Sequence, residues 1–246
     1  MEQPVLIQGA MACELEFLQK KLEKSREVNV GPNSFWQGSF NNKPVVLSRL
    51  QIGFAQTAAA TALAIENFEP KFIINQGTAG AYTPELNNYD IVVGERYFNA
   101  GAIFTGSHTE AQHENLLPWQ YLALDRVEAA TSLKNCVSNR PFYHYSDIEL
   151  VKLVMEEAEK YTKGHIVTGT VASAEQWNCS PDFLQQLHHI TGADCEEMEA
   201  AAAGRVAVAW KVPFICLKVI SNNNVTGKDF DANTAVALQE FIWGLF

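Results

Sequence analysis

The chain is organised around the segment Gly192-Ala-Asp-Cys-Glu-Glu-Met-Glu-Ala-Ala-Ala-Ala-Gly204. Four acidic residues fall within six positions and run directly into a stretch of small residues, which predicts a helix packed tightly against its neighbour. Carboxylates this close repel one another and are costly to bury, so a fold that gathers them usually handles a polyol, a cation or a proton. A negatively charged first helical turn, favoured by the helix dipole, is the alternative explanation. The four residues are Asp194, Glu196, Glu197 and Glu199.

Length and composition limit the class of protein. The 246 residues can form one large α/β domain or two small ones, and a hydrophobic content of 47% provides a substantial core. The formal net charge of −10 argues against a nucleic-acid partner, because phosphate backbones are bound by basic patches. A small-molecule ligand is therefore the default expectation.

Cysteine usage and hydropathy bear on the cellular compartment. Five cysteines are scattered without paired short spacing, so we predict neither a disulfide framework nor a zinc site, and no metal or other cofactor. No apolar run reaches the roughly 18 residues of a spanning helix. The start Met1-Glu2-Gln3-Pro4 lacks a basic region followed by an apolar stretch, as a secretory signal would have. Together these features predict a cytoplasmic protein with no membrane partner.

Buried strands and amphipathic helices alternate along the chain without a linker, which predicts a single α/β domain over residues 1–246. Only Gly9 follows the first strand, so the glycine-rich dinucleotide fingerprint is missing and a dinucleotide fold is disfavoured. The predicted strands lie at about 5–7, 34–40, 44–50, 72–75, 89–93, 164–171 and 214–220, and the main predicted helices at about 55–68, 146–161, 181–188, 200–210 and 232–246.

Two segments after buried strands carry candidate ligand contacts. Glu14 stands just past the first strand, at the carboxyl edge where open α/β sheets place ligands, although a solvated first-turn acid has the same appearance. The strand at 72–75 is predicted to break into the turn Gly77-Thr-Ala-Gly80. Its glycines let backbone amides approach a ligand and Thr78 adds a hydroxyl, with an ordinary tight turn as the alternative.

From residue 102 to about residue 140 the periodic pattern disappears. Long irregular segments of this kind are often lids or interface arms. His108 and His113 lie in this segment, and their spacing of five suits no helix face, so we interpret them as surface histidines.

Four short motifs follow buried strands in a fixed order: Gly9-Ala-Met11, Gly77-Thr-Ala-Gly80, Glu197-Met-Glu199 and Ile220-Ser-Asn222. In this order and at these separations the chain resembles the nucleoside phosphorylase/nucleosidase family, and within it the methylthioadenosine/S-adenosylhomocysteine nucleosidases. The resemblance covers nearly the whole chain. It implies one domain with a central mixed twisted sheet flanked by helices, and hydrolysis of the N-glycosidic bond of a purine nucleoside.

The resemblance also implies residue roles that agree with the chemistry. Breaking an N-glycosidic bond builds positive charge on the ribose, so the site needs an oriented water, a clamp on the sugar and help for the leaving base. By position in the family motifs, Glu14 activates the water, and Met198 and Glu199 hold the ribose hydroxyls with support from Glu197. A carboxylate accepts two hydroxyls well and favours nearby cationic character.

Further implied substrate contacts are a family serine position near the water and sugar, apolar pocket residues, and a segment at 172–177 beside the base. Trp177 in that segment can stack on the base, and a core or interface tryptophan is the alternative. Thr78 occupies the family serine position, and Ala79 and Gly80 follow it in the same motif as further implied substrate contacts. Met11 and Ile52 are the implied apolar pocket residues.

The choice between hydrolase and phosphorylase depends on anion ligands. A phosphorylase binds phosphate beside the sugar, normally with arginines or a glycine-rich amide cluster. The first turn contains no arginine, and Asn75-Gln76-Gly77 lacks the basic residue that phosphorylases carry there. Water is therefore the predicted nucleophile, and Arg96 remains the one nearby cation that could bind phosphate.

Asn222 is the main departure from the family, which places an Asp after the serine equivalent to Ser221. That Asp assists proton delivery to N7 and accepts from the 6-amino group of adenine, whereas an Asn amide cannot deliver a proton, although it can still donate a hydrogen bond to N7 or to a 6-oxo group. Three explanations remain open. The substrate is a 6-oxopurine nucleoside; or adenine nucleosides are cleaved slowly with water delivering the proton; or an inactivating change was introduced to trap a ligand. A second departure is Ala10-Met-Ala-Cys-Glu14, where the nucleosidases have Ala-Met-Glu-Glu-Glu.

Three functions therefore stay open: a purine nucleosidase, a phosphorylase, and a nucleoside-binding protein without catalysis. In each, the predicted partner is a small purine nucleoside. The resemblance further implies a homodimer or higher homo-oligomer, in which the segment 102–140 completes the pocket of a neighbouring subunit.

Overall fold

The computed structural model describes residues 2–104, 120–124 and 133–246, and they form the α/β fold that the alternation predicts. His108, His113 and much of the segment 102–140 lie outside these ranges.

Short 3-10 helices lie at Ala12–Glu14, Leu133–Cys136 and Ala158–Lys160. The strands are β1 (Val5–Gly9), β2 (Glu23–Val30), β3 (Asn33–Phe40), β4 (Lys43–Arg49), β5 (Phe72–Ala81), β6 (Ile91–Asn99), β7 (Ile103–Phe104), β8 (Gln120–Leu122), β9 (Val137–Ser138), β10 (His144–Tyr145), β11 (Ile166–Ser173), β12 (Cys195–Glu197) and β13 (Phe214–Asn222); the α-helices are α1 (Glu16–Lys21), α2 (Phe54–Phe68), α3 (Ile148–Glu156), α4 (Pro181–Thr191), α5 (Ala200–Trp210) and α6 (Thr234–Gly244).

One mixed sheet runs through the described chain in the order β10-β6-β11-β12-β5-β1-β4-β3-β2. Strand β13 pairs in parallel with β5 and antiparallel with β6, so β5, β13, β6, β11 and β12 close into a ring. Strands β1 and β4 continue in parallel from β5, and β3 and β2 complete an antiparallel edge. The predicted central mixed sheet is confirmed, and the carboxyl ends of β1, β5 and β13 meet at one edge of it.

Helices cover both faces of this sheet. Successive residues of β1 alternate between two hydrophobic clusters: Leu6 packs in the cluster with α2 and α5, and Ile7 in the cluster with α1, α3 and α6. The alternation follows from the two-residue period of strand side chains. All residues of β1 and β13 are consequently buried, as strands covered on both faces should be.

Helix α5 has small side chains because it lies directly against the sheet. Its residues Ala200, Ala203 and Ala207 are buried, and a Cβ added at Gly204 would collide with the Tyr97 ring. The acidic residues before it are not its first turn: Glu197 belongs to β12, and the first turn of α5 contains no acidic residue. The acidic residues therefore do not form a first helical turn, although Glu197 accepts from the backbone N–H of Ala200 at the amino end of α5, as the helix-dipole explanation expects.

The predicted turn at Gly77-Thr-Ala-Gly80 is also wrong, because these residues continue strand β5 to Ala81. The glycines instead provide clearance for side chains from neighbouring elements. A Cβ at Gly77 would lie 2.8 Å from Glu14 Oε1, and one at Gly80 would lie 3.1 Å from Asn222 Nδ2. Strand pairing with β13 extends across the glycines and holds them in the sheet.

Strand β2 is a further difference from the sequence-based prediction. Its residues Glu23–Val30 are mostly exposed and polar, so no apolar alternation signals it. Antiparallel pairing with β3 determines its conformation instead. Among the helices in the described ranges, none has the length and apolar character needed to cross a membrane.

Candidate active site

A cavity of about 310 Å³ opens where the carboxyl ends of β1, β5 and β13 meet β12 and the start of α2. All twelve residues that the sequence analysis assigned to the site lie in its wall. They are Met11, Glu14, Ile52, Thr78, Ala79, Gly80, Trp177, Glu197, Met198, Glu199, Ser221 and Asn222.

Glu14 is buried and held by four hydrogen bonds. Its Oε2 accepts from the backbone N–H groups of Ala10 (2.8 Å) and Met11 (3.0 Å). Its Oε1 accepts from the backbone N–H of Thr78 (2.8 Å) and from Thr78 Oγ1 (3.0 Å). Donors on both oxygens fix the carboxylate in one orientation. Glu14 is thus a fixed acceptor in the cavity wall, and a solvated first-turn acid is ruled out by its burial.

Glu197 forms a buried ion pair with Lys218, whose Nζ lies 2.8 Å from Glu197 Oε2. Lys218 Nζ also donates to Asn75 Oδ1 at 2.8 Å. The other oxygen, Glu197 Oε1, accepts from Ser173 Oγ and from the backbone N–H of Ala200. Because these donors surround Glu197, it serves as a buried anchor for the end of β12 and the start of α5.

Glu199 lies next to this pair and is the carboxylate with the most displaced pKa of the site. Burial and the charge of Glu197 raise its pKa to about 8, against the opposing effect of Lys218. Its Oε1 accepts from the backbone N–H of Gly53 at 3.1 Å, and its Oε2 from that of Met198 at 3.3 Å. Gly53 adopts a φ of 100°, a conformation that favours glycine. Glu199 therefore ties the loop before α2 to the acidic centre.

The charge of Lys218 is maintained inside the protein by its carboxylate neighbours. Burial alone lowers the pKa of Lys218, but the charges of Glu197 and Glu199 outweigh that effect and hold the pKa above its ordinary value. Lys218 therefore compensates part of the negative charge beneath the cavity.

Asn222 ends β13 at the cavity wall and is buried. Ser221 Oγ lies 3.1 Å from Asn222 Oδ1 and donates to it, and also lies 3.2 Å from the carbonyl oxygen of Ala79. This arrangement leaves Nδ2 of the Asn222 amide beside Gly80, where it can donate a hydrogen bond to a ligand.

Exposed apolar side chains form the outer part of the cavity. The rings of Trp177 and Phe230 have centroids 6.1 Å apart and planes inclined by 59°. Trp177 is 60% exposed and Ile52 is 55% exposed, so Trp177 is not a core residue. Aromatic faces in this position can cover a flat heterocycle.

Three residues of the cavity wall were not expected there from the sequence analysis, namely Ala10, Glu196 and Phe230, whereas Gln176 lies in the segment 172–177 that was expected beside the base. Glu196 had been noted only as one of four clustered acids. Phe230 lies between β13 and α6 in a segment without periodic pattern, so no sequence signal pointed to it. The burial of Lys218 was also missed, although a single lysine within the apolar run of β13 was an available signal, since a buried charge needs a partner.

Among the described residues of the cavity wall there is neither lysine nor arginine. Arg96 is not part of that wall; its Nε donates to Thr170 Oγ1 at 2.9 Å, and its guanidinium lies 5.0 Å from the Tyr143 ring centroid. Within the described ranges, no group of three or more His, Cys, Asp or Glu side chains is arranged to hold a metal ion.

The chain is thus an α/β protein with a carboxylate-lined cavity at the carboxyl edge of its central sheet. Residues 4–242 match the family model of the phosphorylase superfamily, and the chain belongs to that superfamily. Similar curated proteins include the 5'-methylthioadenosine/S-adenosylhomocysteine nucleosidases of Bacillus licheniformis and Psychromonas ingrahamii. The Bacillus licheniformis protein is 26% identical over 226 residues, which cover 92% of this chain and 87% of the relative. The Psychromonas ingrahamii protein is 29% identical over 222 residues, which cover 89% of this chain and 85% of the relative.

Solved structures show the same fold. The nucleosidase of that name from Neisseria meningitidis, in complex with methylthio-immucillin-A, has a TM-score of 0.78 and 21% identity, with coverage of 99% of this chain and 98% of the other. Futalosine hydrolase of Helicobacter pylori has a TM-score of 0.76 and 20% identity, with coverage of 99% and 97%.

Proposed function

We propose that the protein is a purine nucleosidase, which hydrolyses the N-glycosidic bond of a purine nucleoside to the free base and a ribose derivative. The names of the curated relatives support this activity, since they are 5'-methylthioadenosine/S-adenosylhomocysteine nucleosidases. The observation that carries the proposal is that Glu14 and Glu199, which are far apart in sequence, line one cavity of about 310 Å³.

Glu14 would act as the general base on water. Its oxygens are held by the amides of Ala10, Met11 and Thr78, so the carboxylate keeps one orientation without needing the substrate to fix it. A fixed carboxylate can take a proton from water as the water attacks the anomeric carbon, and its charge also favours the cationic ribose of the transition state.

Glu199 and Met198 would hold the ribose. The Glu199 carboxyl group, protonated or ionised, keeps oxygen acceptors for the ribose hydroxyls, and the Met198 side chain supplies an apolar contact beside it. Glu197 would support this clamp through its buried pair with Lys218, which keeps the local negative charge partly compensated.

Hydrolysis is favoured over phosphorolysis by the charges of the cavity. A phosphate ion beside the sugar would lie among Glu14, Glu197 and Glu199, with no lysine or arginine of the described wall to bind it. Water carries no charge and is not repelled. Asn222 would donate a hydrogen bond to the leaving base, which takes its proton from water as the C–N bond to the ribose breaks.

The proposed activity is tested by incubating the purified chain with 5'-methylthioadenosine, adenosine and 5'-methylthioinosine, with and without inorganic phosphate, and measuring free base by chromatography. We expect base release that does not depend on phosphate. Phosphate-dependent formation of ribose 1-phosphate derivatives would establish a phosphorylase instead, and tight binding without base release would establish a binding protein.

We also propose a cytoplasmic homodimer. All five cysteines are free, as in a reducing compartment, and the exposed side chains of Ile52 and Trp177 at the cavity mouth could be covered by a second subunit. Sedimentation at micromolar concentration would test the assembly, with a monomer contradicting it.

A further inference from the structure

Glu196 and Asn222 lie on either side of Gly80 in the sheet. Glu196 on β12 is the register partner of Gly80 on one side, and Asn222 on β13 is its partner on the other. The register of β13 against β5 shifts between Ile220 and Asn222, and the side chains of Glu196 and Asn222 both line the same cavity. Since neighbouring strands are about 4.8 Å apart, the Cα atoms of Glu196 and Asn222 are separated by roughly 10 Å.

The space between these two side chains is open because Gly80 has no side chain. Both residues line the same cavity, and Gly80 lies in its wall between them. A Cβ at Gly80 would already lie 3.1 Å from Asn222 Nδ2. The result is a slot with an amide on one side and a carboxylate on the other, beneath the rings of the outer wall.

Glu196 is fixed in position and keeps spare acceptor capacity. Its Oε2 accepts from Tyr82 Oη at 2.8 Å and from Asn178 Nδ2 at 2.5 Å. Its Oε1 accepts only the backbone N–H of Asn178, at 3.0 Å, so a lone pair remains on that oxygen. No lysine or arginine of the described chain forms an ion pair with Glu196. Burial raises its pKa, which is the expected cost of a carboxylate held without a counter-ion.

The edge of a 6-oxopurine matches this slot. It presents a carbonyl oxygen next to a ring N–H, whereas the corresponding edge of adenine presents an amino group next to an unprotonated ring nitrogen. Asn222 Nδ2 can donate to the carbonyl oxygen or to N7, and Glu196 can accept from the ring N–H. Against adenine, the same carboxylate would face a nitrogen lone pair, which is repulsive.

We propose that Glu196 is the residue that selects the base, and that together with Asn222 it recognises the 6-oxopurine class over the 6-aminopurine class. This inference rests on the proposed nucleosidase function, and it goes beyond the Asn222 substitution by assigning the acceptor on the opposite side of the slot.

The test compares 5'-methylthioinosine and 5'-methylthioadenosine as substrates of the full chain, wild type and Glu196→Gln. We expect the wild type to have the higher kcat/KM with 5'-methylthioinosine. In the variant the preference should fall by roughly 10- to 100-fold, the loss expected when a charge-assisted hydrogen bond is removed. Glu149→Gln, an exposed carboxylate-to-amide change on α3, is the matched control and should keep the wild-type ratio.

If Glu196 had a purely structural role, through its bonds to Tyr82 and Asn178, Glu196→Gln would lower kcat/KM equally for both substrates. The ratio of the two kcat/KM values would then be unchanged, which would overturn the inference. A wild type that prefers 5'-methylthioadenosine would also overturn it, while leaving the nucleosidase proposal intact.

Calorimetric binding of free hypoxanthine and adenine to the wild type gives a second measurement that needs neither turnover nor a stable variant. Tighter binding of hypoxanthine is expected, and equal or weaker binding would contradict the inference. If hypoxanthine binds more tightly but no nucleoside releases base, the nucleosidase proposal fails and the base selectivity stands.

Discussion

Lys218 and Glu197 form an ion pair inside the protein, with 2.8 Å between Lys218 Nζ and Glu197 Oε2 and with the two side chains 1% and 2% exposed. Buried pairs of this kind contribute little net stability when intact, because desolvation offsets their attraction. Their removal on one side is costly, however, since the remaining charge is left uncompensated. Here that charge would be shared by Glu197 and its neighbour Glu199, so the ion pair connects the stability of the core to the state of the cavity.

Replacing the cation should therefore destabilise the protein strongly. We expect Lys218→Met to lower the free energy of unfolding by about 3 to 5 kcal/mol, measured by urea denaturation. The double variant Lys218→Met/Glu197→Gln should recover part of this loss, because the unpaired charge is removed. Lys152→Met breaks an exposed pair with Glu149 and is the control. Equal effects of the buried and exposed changes would contradict the role given to Lys218.

Ionisation of Glu199 should lower the stability of the folded protein as the pH rises. Its pKa in the folded protein is about 8, above the ordinary value of 4.5, so the folded state retains a proton that the unfolded state has lost. The corresponding stability is fully present below the ordinary pKa and is lost as pH rises through about 8. Thermal unfolding at pH 6 and pH 9 should show a larger decrease for the wild type than for Glu199→Gln. Parallel decreases in the two proteins would show that another group is responsible.

The general base is tested by Glu14→Gln. We expect turnover to fall on the order of 10²- to 10⁴-fold, since an amide cannot accept the proton of water. Nucleoside binding, measured by calorimetry, should persist because the ribose clamp is unchanged. Glu16→Gln alters an exposed glutamate two positions away and should leave turnover unaffected. Full activity of Glu14→Gln would refute the assignment of the base.

The absence of a side chain at Gly77 should be needed for turnover, because it leaves room for the Glu14 carboxylate. In Gly77→Ala the new Cβ would lie 2.8 Å from Glu14 Oε1 and would displace that carboxylate. We expect kcat to fall on the order of 10²-fold, as small misplacements of a catalytic group do. Gly244→Ala is the control, because no atom lies within 4 Å of its added Cβ. Unchanged kcat in Gly77→Ala would show that Glu14 tolerates movement.

Local patterns predicted much of the fold. The apolar runs of β1 and β13 and the amphipathic spacing of the helices are local signals, so element type could be predicted from them, whereas the central mixed sheet was implied by the family resemblance. The segment Gly77–Gly80 could not be predicted correctly, because glycines usually indicate turns and only pairing with β13 keeps them extended. The exposed strand β2 was missed for a similar reason, since pairing with β3 leaves no hydrophobic pattern.

The sequence by itself determined which residue types were available to the site: Glu14 after the first strand, Met198 and Glu199 before a small-sided helix, and Asn222 in place of an acid. These are properties of single positions and of spacing along the chain. Only the tertiary structure decided that Glu196 faces Asn222 across Gly80 and that Lys218 balances Glu197. The physical reason is that strand register and burial depend on contacts between distant segments, and the charge and pKa of a buried group depend on what those contacts place around it.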